Sequence, residues 1–436
     1  MGGHGHGGRI LRARRATFSP YTSATMNAHQ ETHLLLYTDR AIRRSLASWS
    51  PGRTIFASDE VTAEDRATYD EVVELPPVAD VEATVRVLEG IRADRVFYQT
   101  EFGLLPGSIL AQRRGLRGPT PAAAHLCVNK AACRVRLATA GVPQPKFARC
   151  GSAADVRRAG LGYPLILKAA ASTLGRLVTK VERDSDLDNA VAALLARLPS
   201  SPDVARLVGF GWAAKIDLGL DPTQEFLAES FAEGPPLEAD GLVFGNQIDL
   251  FGITEQVVRD GSGFTIEAYL FPADEPGRCD DSARRAIEAV GLSDSGFSIE
   301  FRGDELIEIN GRLGEDDGFP DLFRAGLGVF PLEKWLTGDS RPRVVRDRHA
   351  LAYVNRYARG VVSRIGRVPD GVVVPVSPGQ SLFDPGDPAY RAHVAYALAS
   401  HPTSSRAALA VARERLTGLN LVVSESGRST DGPPIS

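Results

Sequence analysis

Lysine is scarce in this chain. Of its 50 basic residues only Lys130, Lys146, Lys168, Lys180, Lys215 and Lys334 are lysines, and arginine takes every other basic position. A position that keeps lysine is therefore a mild candidate for work that needs a compact, flexible ammonium rather than a rigid fork. Cysteine is sparse too. Cys127, Cys133, Cys150 and Cys279 show no Cys-x-x-Cys spacing and no histidine partners, which disfavours a zinc site or disulfide framework and points to buried, reduced thiols. No apolar run approaches the roughly 20 residues of a membrane span, and residues 1–30 lack the apolar core of a secretory leader. A net charge of -4 offers no nucleic-acid footprint and no attraction to anionic membranes. No Gly-x-Gly-x-x-Gly follows the first strand and no Walker-type loop occurs, so dinucleotide and P-loop sites are disfavoured. There is no internal repeat.

What is present is a 436-residue chain, 43% apolar, long enough for several domains. Residues 1–30 are rich in Gly, His and Arg and read as a disordered extension, with Met26 a candidate native start and His4 and His6 no functional metal site. Residues 425–436 read as a loose tail. From His33 strands and helices alternate: His33–Tyr37, Arg53–Ala57, Glu71–Leu75 and Arg95–Tyr98 read as strands, and Val81–Ile91 as an amphipathic helix. This predicts a small open parallel sheet over residues 31–120. A single helix is expected over Ala122–Thr139, stopped by Gly141 and kept from resuming by Pro143 and Pro145. Then come a buried strand ending at Lys168, a small-residue loop Ala169–Gly175, a strand Arg176–Val181, a helix Asp186–Leu198 capped by Ser185, and a strand Glu225–Phe231. Segments Leu242–Phe244 and Gln247–Phe251 read as antiparallel strands, and Asp281–Val290 as a helix. Boundaries are expected near 120, 200, 340 and 424.

The most telling stretch runs from Phe297 to Arg312, two short strands joined by a Gly-Asp turn. With a three-residue loop, Gly303–Glu305, Glu300 lies opposite Glu308 and Ser298 opposite Asn310. Alternation then places these four on one face and Phe297, Ile299, Phe301, Ile307 and Ile309 on the other. Two carboxylates and an amide oxygen are hard ligands that suit Mg2+ bound together with substrate phosphates. Arg312 adds a planar cation for phosphate or carboxylate. The plainer reading is the solvated face of an ordinary hairpin. Lys168, at a strand end above a small-residue loop, can neutralise phosphate while loop amides cover it; a lysine snorkelling from a sheet edge is the alternative. Glu229, in Glu225–Phe231, suits an adenine connector whose carboxylate accepts from the exocyclic amine; a solvated strand residue is the plainer reading.

In order, these segments resemble the ATP-grasp superfamily, and within it the carboxylate–amine ligases of L-amino-acid (dipeptide) ligase type. The resemblance rests on Asn129–Arg134 with Leu137 and Gly141–Pro145, on Pro164–Lys168, on Ala228–Phe231 with Gly234, and on Glu300 with Glu308–Arg312, and it covers about residues 31–424. It implies an α/β chain whose ATP-binding part is α+β: an open N-terminal sheet over 31–120, a central subdomain 121–200 with a lid loop, a metal-bearing subdomain 201–340 and a C-terminal subdomain 341–424. By the resemblance, Lys130 and Lys168, with Ser172 and Gly175 of the loop, would contact ATP phosphates. Glu229 by its side chain and Phe231 by its backbone would bind adenine. Glu300, Glu308 and Asn310 would hold two Mg2+ ions, for which Mn2+ can substitute, and Arg312 would steady an acyl phosphate. The implied reaction joins an amino acid or amino-acid-like carboxylate to an amine, giving an amide, ADP and phosphate, in the cytoplasm. A homodimer is consistent with related folds.

The chain departs from that pattern in three places. Pro236 stands where the family usually places a ribose-binding Glu, so Glu238, or failing it Glu233, must substitute. The phosphate loop has few glycines. Glu267 aligns with the family's amino-acid-binding segment, a candidate for the substrate amine, while Leu270 replaces a side chain that is often polar there. Two other readings keep the fold: a carboxylase or formate-dependent transferase of purine-pathway type, and a nucleotide-binding protein that has lost catalysis.

Overall fold

The structure is a computed structural model, and it describes residues 31–37, 52–173, 175–259, 265–314, 316–384 and 390–424. The expectations for residues 1–30, including Met26, His4 and His6, for Leu174 in the small-residue loop and for the tail 425–436 lie outside the described residues.

The first sheet is parallel, in the order Glu71–Glu74, Arg53–Ser58, Thr32–Leu36, Arg95–Tyr98. Leu34, Leu35 and Leu36 are all fully buried, as a strand covered on both faces requires. The segment after Tyr98 starts a helix at once. Thr100 caps Glu101–Arg114 by accepting from the Gly103 amide, and Gly115, at φ 65°, closes it. Only glycine fits at 103, where a Cβ would come within 2.5 Å of the Tyr98 Cβ.

The helix expected over Ala122–Thr139 is two helices, Pro121–Val128 and Lys130–Thr139. Asn129 breaks it at φ -85°, ψ 95°, and its side chain accepts from the amides of Ala131 and Ala132 to cap the second helix. The break matters because it makes Lys130 the first residue of a helix. The helix expected from Asp186 begins at Asp184 behind Arg183, and Ser185 bonds Asp186 rather than capping it. A helix over Pro202–Ala214, unforeseen from the pattern, is capped by Ser201.

Two further sheets form the clasp. One is antiparallel and four-stranded, in the order Phe147–Cys150, Phe226–Ser230, Leu165–Ala169, Val178–Val181. The other has eight strands: Glu305–Asn310, Ser295–Arg302, Pro236–Phe244, Gln247–Val258, Ile266–Phe271, Arg348–Asn355, His393–His401 and Val372–Val373. Strand pairing runs across two of the expected boundaries. Strand Phe226–Ser230 pairs with strands on the far side of residue 200, and the ladder from Ile266–Phe271 to Arg348–Asn355 bridges residue 340. The described residues between 31 and 424 form one compact unit.

Candidate active site

The carboxylate hairpin forms with the expected register. Ser298 pairs with Asn310 and Glu300 with Glu308, but the turn is the two residues Gly303 and Asp304, and a bulge at Ile307 restores the pairing. The adjacent strand extends the pattern, with Glu238 paired to Glu300 and Asp240 to Ser298. Four carboxylates, an amide and a hydroxyl therefore share one face of three neighbouring strands. The turn is held from outside: the Gly303 amide donates to Pro235 O at 2.9 Å, and a Cβ on Gly234 (φ 105°) would lie 2.9 Å from the Gly303 backbone.

Charge on this face is poorly balanced. Burial, with Glu308 and Glu238 beside it, pushes Glu300 up to about 8. Glu238 is raised by burial, although Ser298 Oγ donates to it at 2.6 Å and Gln256 Nε2 at 2.8 Å. Ser298 thus spends its one proton on Glu238. The fully buried Asp240 has no hydrogen-bond partner among the described residues, and burial together with Glu238 lifts it well above the carboxylate range. Two cations approach. Lys130 Nζ lies 2.5 Å from Glu308 Oε1 and 3.0 Å from Ser172 O. Burial opposes its charge, but Glu308, Glu101 and Glu300 more than offset that and raise it. Arg312 donates from Nε to Glu101 Oε1 at 3.0 Å. Glu101 is pushed up by burial and carried below its usual value by Arg312 and its own helix N-terminus.

The other side of the clasp is electrostatically saturated. Glu229 receives Lys168 Nζ at 2.8 Å and Arg134 Nε at 2.7 Å. Burial would raise it; the two cations pull it down to about 2. Both oxygens are engaged and the side chain is 3% exposed, so the carboxylate holds Lys168 in place. This differs from the expected side-chain contact to adenine, because an acceptor committed to two cations is not presented to a ligand. The Phe231 amide donates to Pro164 O at 3.3 Å, and Lys180 Nζ stands 4.3 Å from the centre of its ring. Arg134 also donates to Leu306 O at 2.9 Å and Ile307 O at 2.6 Å. It thereby joins the hinge acid to the bulge that sets Glu308.

The small-residue loop is tied at several points. Lys130 N donates to Ala170 O at 2.8 Å, and Thr173 donates from N and Oγ1 to Asp203 at 3.0 and 3.2 Å. Ser172 Oγ is buried without a partner among the described residues, and Gly175 follows at φ 66°.

Glu238 and Glu267 lie as follows. Glu238 lies in the carboxylate row, with both oxygens accepting, from Ser298 and Gln256; Pro236 begins the strand opposite Arg302, and Glu233 is exposed. Glu267 is the extra residue of a bulge, since Val257 pairs with Ala268 and Val258 with Ile266. It is turned to the side of Ala268 and Leu270, which pack in a core with the helix Ser405–Leu416, and Arg413 of that helix stands 3.8 Å away. Tyr269 takes the place on the carboxylate side. Its Oη donates to Asp316 Oδ2 at 2.5 Å.

A preformed cage of three or more His, Cys, Asp or Glu side chains does not occur among the described residues. The donor set still fits Mg2+, which is usually bound by one or two carboxylates plus substrate phosphates. An acid held up at about 8 by its neighbours is one that a divalent cation would let ionise.

Glu101, Arg134, Asp240 and Lys180 were not among the expected site residues. Two carried a signal: Arg134 is four residues after Lys130 and shares its helix face, and Asp240 is two after Glu238 on one strand.

Comparison with known structures identifies the fold. The chain superposes on the L-amino acid ligase from Bacillus licheniformis with a TM-score of 0.73 at 18% identity, covering 91% of this chain and 99% of that one. It also superposes on the biotin carboxylase domain of 2-oxoglutarate carboxylase from Hydrogenobacter thermophilus, solved with MgADP and bicarbonate, with a TM-score of 0.67 at 17% identity over 91% and 92%. The fold is the ATP-grasp fold. No protein-family profile matches the chain. An uncharacterized protein, y4rH, of Sinorhizobium fredii is 32% identical over 219 residues, a match spanning 47% of this chain and only 40% of that protein's length. No helix among the described residues is long and apolar enough to cross a membrane.

Proposed function

We propose that the chain is a cytoplasmic ATP-dependent ligase that joins an amino acid or amino-acid-like carboxylate to an amine. The observation that carries this reading is the register Glu238–Glu300–Glu308, with Asn310 beside it, Lys130 on Glu308 and Arg312 at its end.

Lys130 and Lys168, with Ser172 and Gly175, meet the nucleotide phosphates, and the strand to Phe231 takes the adenine edge through its backbone. Glu229 and Arg134 fix Lys168 in place. Glu300, Glu308 and Asn310 hold Mg2+, or Mn2+ in its stead; when bound, the metal neutralises phosphate charge that would repel an incoming carboxylate. A carboxylate oxygen of the acid attacks the γ-phosphorus, the bond to the β-phosphate oxygen breaks, and ADP leaves. Arg312, oriented by Glu101, stabilises the acyl phosphate and the oxyanion formed when an amine attacks it. The C–N bond forms, the C–O bond to phosphate breaks, and phosphate departs. A homodimer is the expected assembly.

The test is ADP release across carboxylic acids with hydroxylamine as a trap for the acyl phosphate. Acid-dependent ADP release with matching hydroxamate is the expected result. ADP release that depends on bicarbonate or formate instead would move the chain to the carboxylase or transferase reading. Nucleotide binding with no acid-dependent turnover would mark lost catalysis.

A further inference from the structure

Beside the carboxylate row lies a polar group that the proposed phosphate chemistry leaves unused. Asp316 follows Arg312 after the hairpin, and both Tyr269 Oη (2.5 Å) and His393 Nε2 (3.7 Å) approach its Oδ2. Tyr353 stacks on the His393 ring at 3.7 Å between centroids and 16° between planes. The imidazole's proton can be assigned from its neighbours. Asn355 Nδ2 donates to Ile266 O at 2.8 Å, which leaves Asn355 Oδ1 facing His393 Nδ1 at 2.8 Å. An acceptor there requires Nδ1–H, so in the neutral ring the lone pair is on Nε2, the nitrogen aimed at Asp316. At 3.7 Å this is too long for a direct hydrogen bond and short enough for an ion pair once the ring is protonated.

The charged groups around Asp316 are His393, Arg312 and Glu238, with the phenols of Tyr269 and Tyr353. Burial would raise Asp316, but His393, Tyr269 and Arg312 outweigh it and keep the carboxylate ionised. Arg312 acts electrostatically on both Asp316 and Glu238, which places this group next to the row where the acyl phosphate would form.

Resting on the ligase reading above, we propose that Asp316 and His393 receive the acceptor amine as its ammonium and that His393 Nε2 takes the proton that must leave before nitrogen attacks. The substrate class is then an aliphatic amine that is protonated at neutral pH. One proton passes from ammonium to imidazole, which Asp316 stabilises as imidazolium. The freed lone pair attacks the acyl carbon, and the second N–H proton leaves with the departing phosphate.

The experiment compares amide formation with an alkylamine against hydroxamate formation with hydroxylamine, which is unprotonated at neutral pH and needs no base. His393→Gln should lower the amide-to-hydroxamate ratio at pH 7 by at least about tenfold, within the usual range for a general base, and the deficit should close as pH rises toward the amine's own pKa. Asp316→Asn should raise KM for the amine more than it lowers kcat. If His393→Gln fails to fold, Asn355→Leu, which frees the tautomer, should shift the ratio in the same direction. An unchanged ratio, or a deficit indifferent to pH, overturns the inference alone. Absence of hydroxamate from the unaltered chain with every acid overturns the ligase reading and the inference with it.

Discussion

The two faces of the clasp treat carboxylates in opposite ways. On the four-stranded sheet one acid, Glu229, is met by two cations, Lys168 and Arg134, and is held near 2. On the eight-stranded sheet Glu238, Asp240, Glu300 and Glu308 share Lys130 and the nearby Arg312, and Glu300 is held near 8. The first arrangement is complete in itself and fixes geometry. The second is incomplete without added positive charge, as expected of a surface that receives metal with nucleotide.

Substitutions can break that contrast, and the largest effect should come from Glu308. Glu308→Ala should cost about 10³-fold or more in acid-dependent ADP release, the scale of losing a main electrostatic group, with folding retained by thermal melt. Arg134→Met should instead destabilise the fold by about 3–5 kcal/mol, because it strands Glu229 beside a single lysine in a buried site; denaturant unfolding measures it.

Acidity sharpens the comparison. A folded-state acid raised above its unfolded value contributes stability below the unfolded pKa and loses it as pH rises through the folded one. Without metal, Glu300 should therefore make the protein less stable from about pH 4.5 to pH 8, and Glu300→Gln should flatten that slope. Glu229 acts with the opposite sign, its contribution present above about 4.5 and lost as pH falls toward 2. With Mg2+ subsaturating, turnover should climb toward pH 8 as protons stop competing at Glu300, and saturating Mg2+ should shift the rise to lower pH. The smallest expected change is at Lys180. Removing its contact with the Phe231 ring in Lys180→Met should weaken nucleotide binding a few-fold, the scale of about 0.5–1 kcal/mol for an exposed cation–π pair, read by equilibrium titration.

What could be read from the sequence followed locality. The hairpin face was legible because strand period and a Gly-Asp turn lie within a few residues, and a bulge at Ile307, beyond the two-residue turn, restored the pairing that a three-residue loop would give. Asn129 was less so: a run of small and apolar residues reads as one helix, although an Asn before Lys130 is a capping signal. The bulge at Glu267 leaves no mark in composition, yet it turned that side chain off the face that Tyr269 keeps. The Glu229 network could not be read at all, since Arg134 lies 95 residues away and Leu306 another 77 from Glu229. Strand pairing across residues 200 and 340 could not be read for the same reason, being set by tertiary contacts.

The most direct measurement is a Mn2+ titration, followed by paramagnetic resonance, of the chain with a non-hydrolysable ATP analogue, alongside Glu300→Gln and Glu308→Ala. The account predicts tight, nucleotide-dependent Mn2+ binding that weakens at least about tenfold in each variant, the scale of disturbing a metal's ligand set. Equal Mn2+ affinity in all three proteins would contradict it.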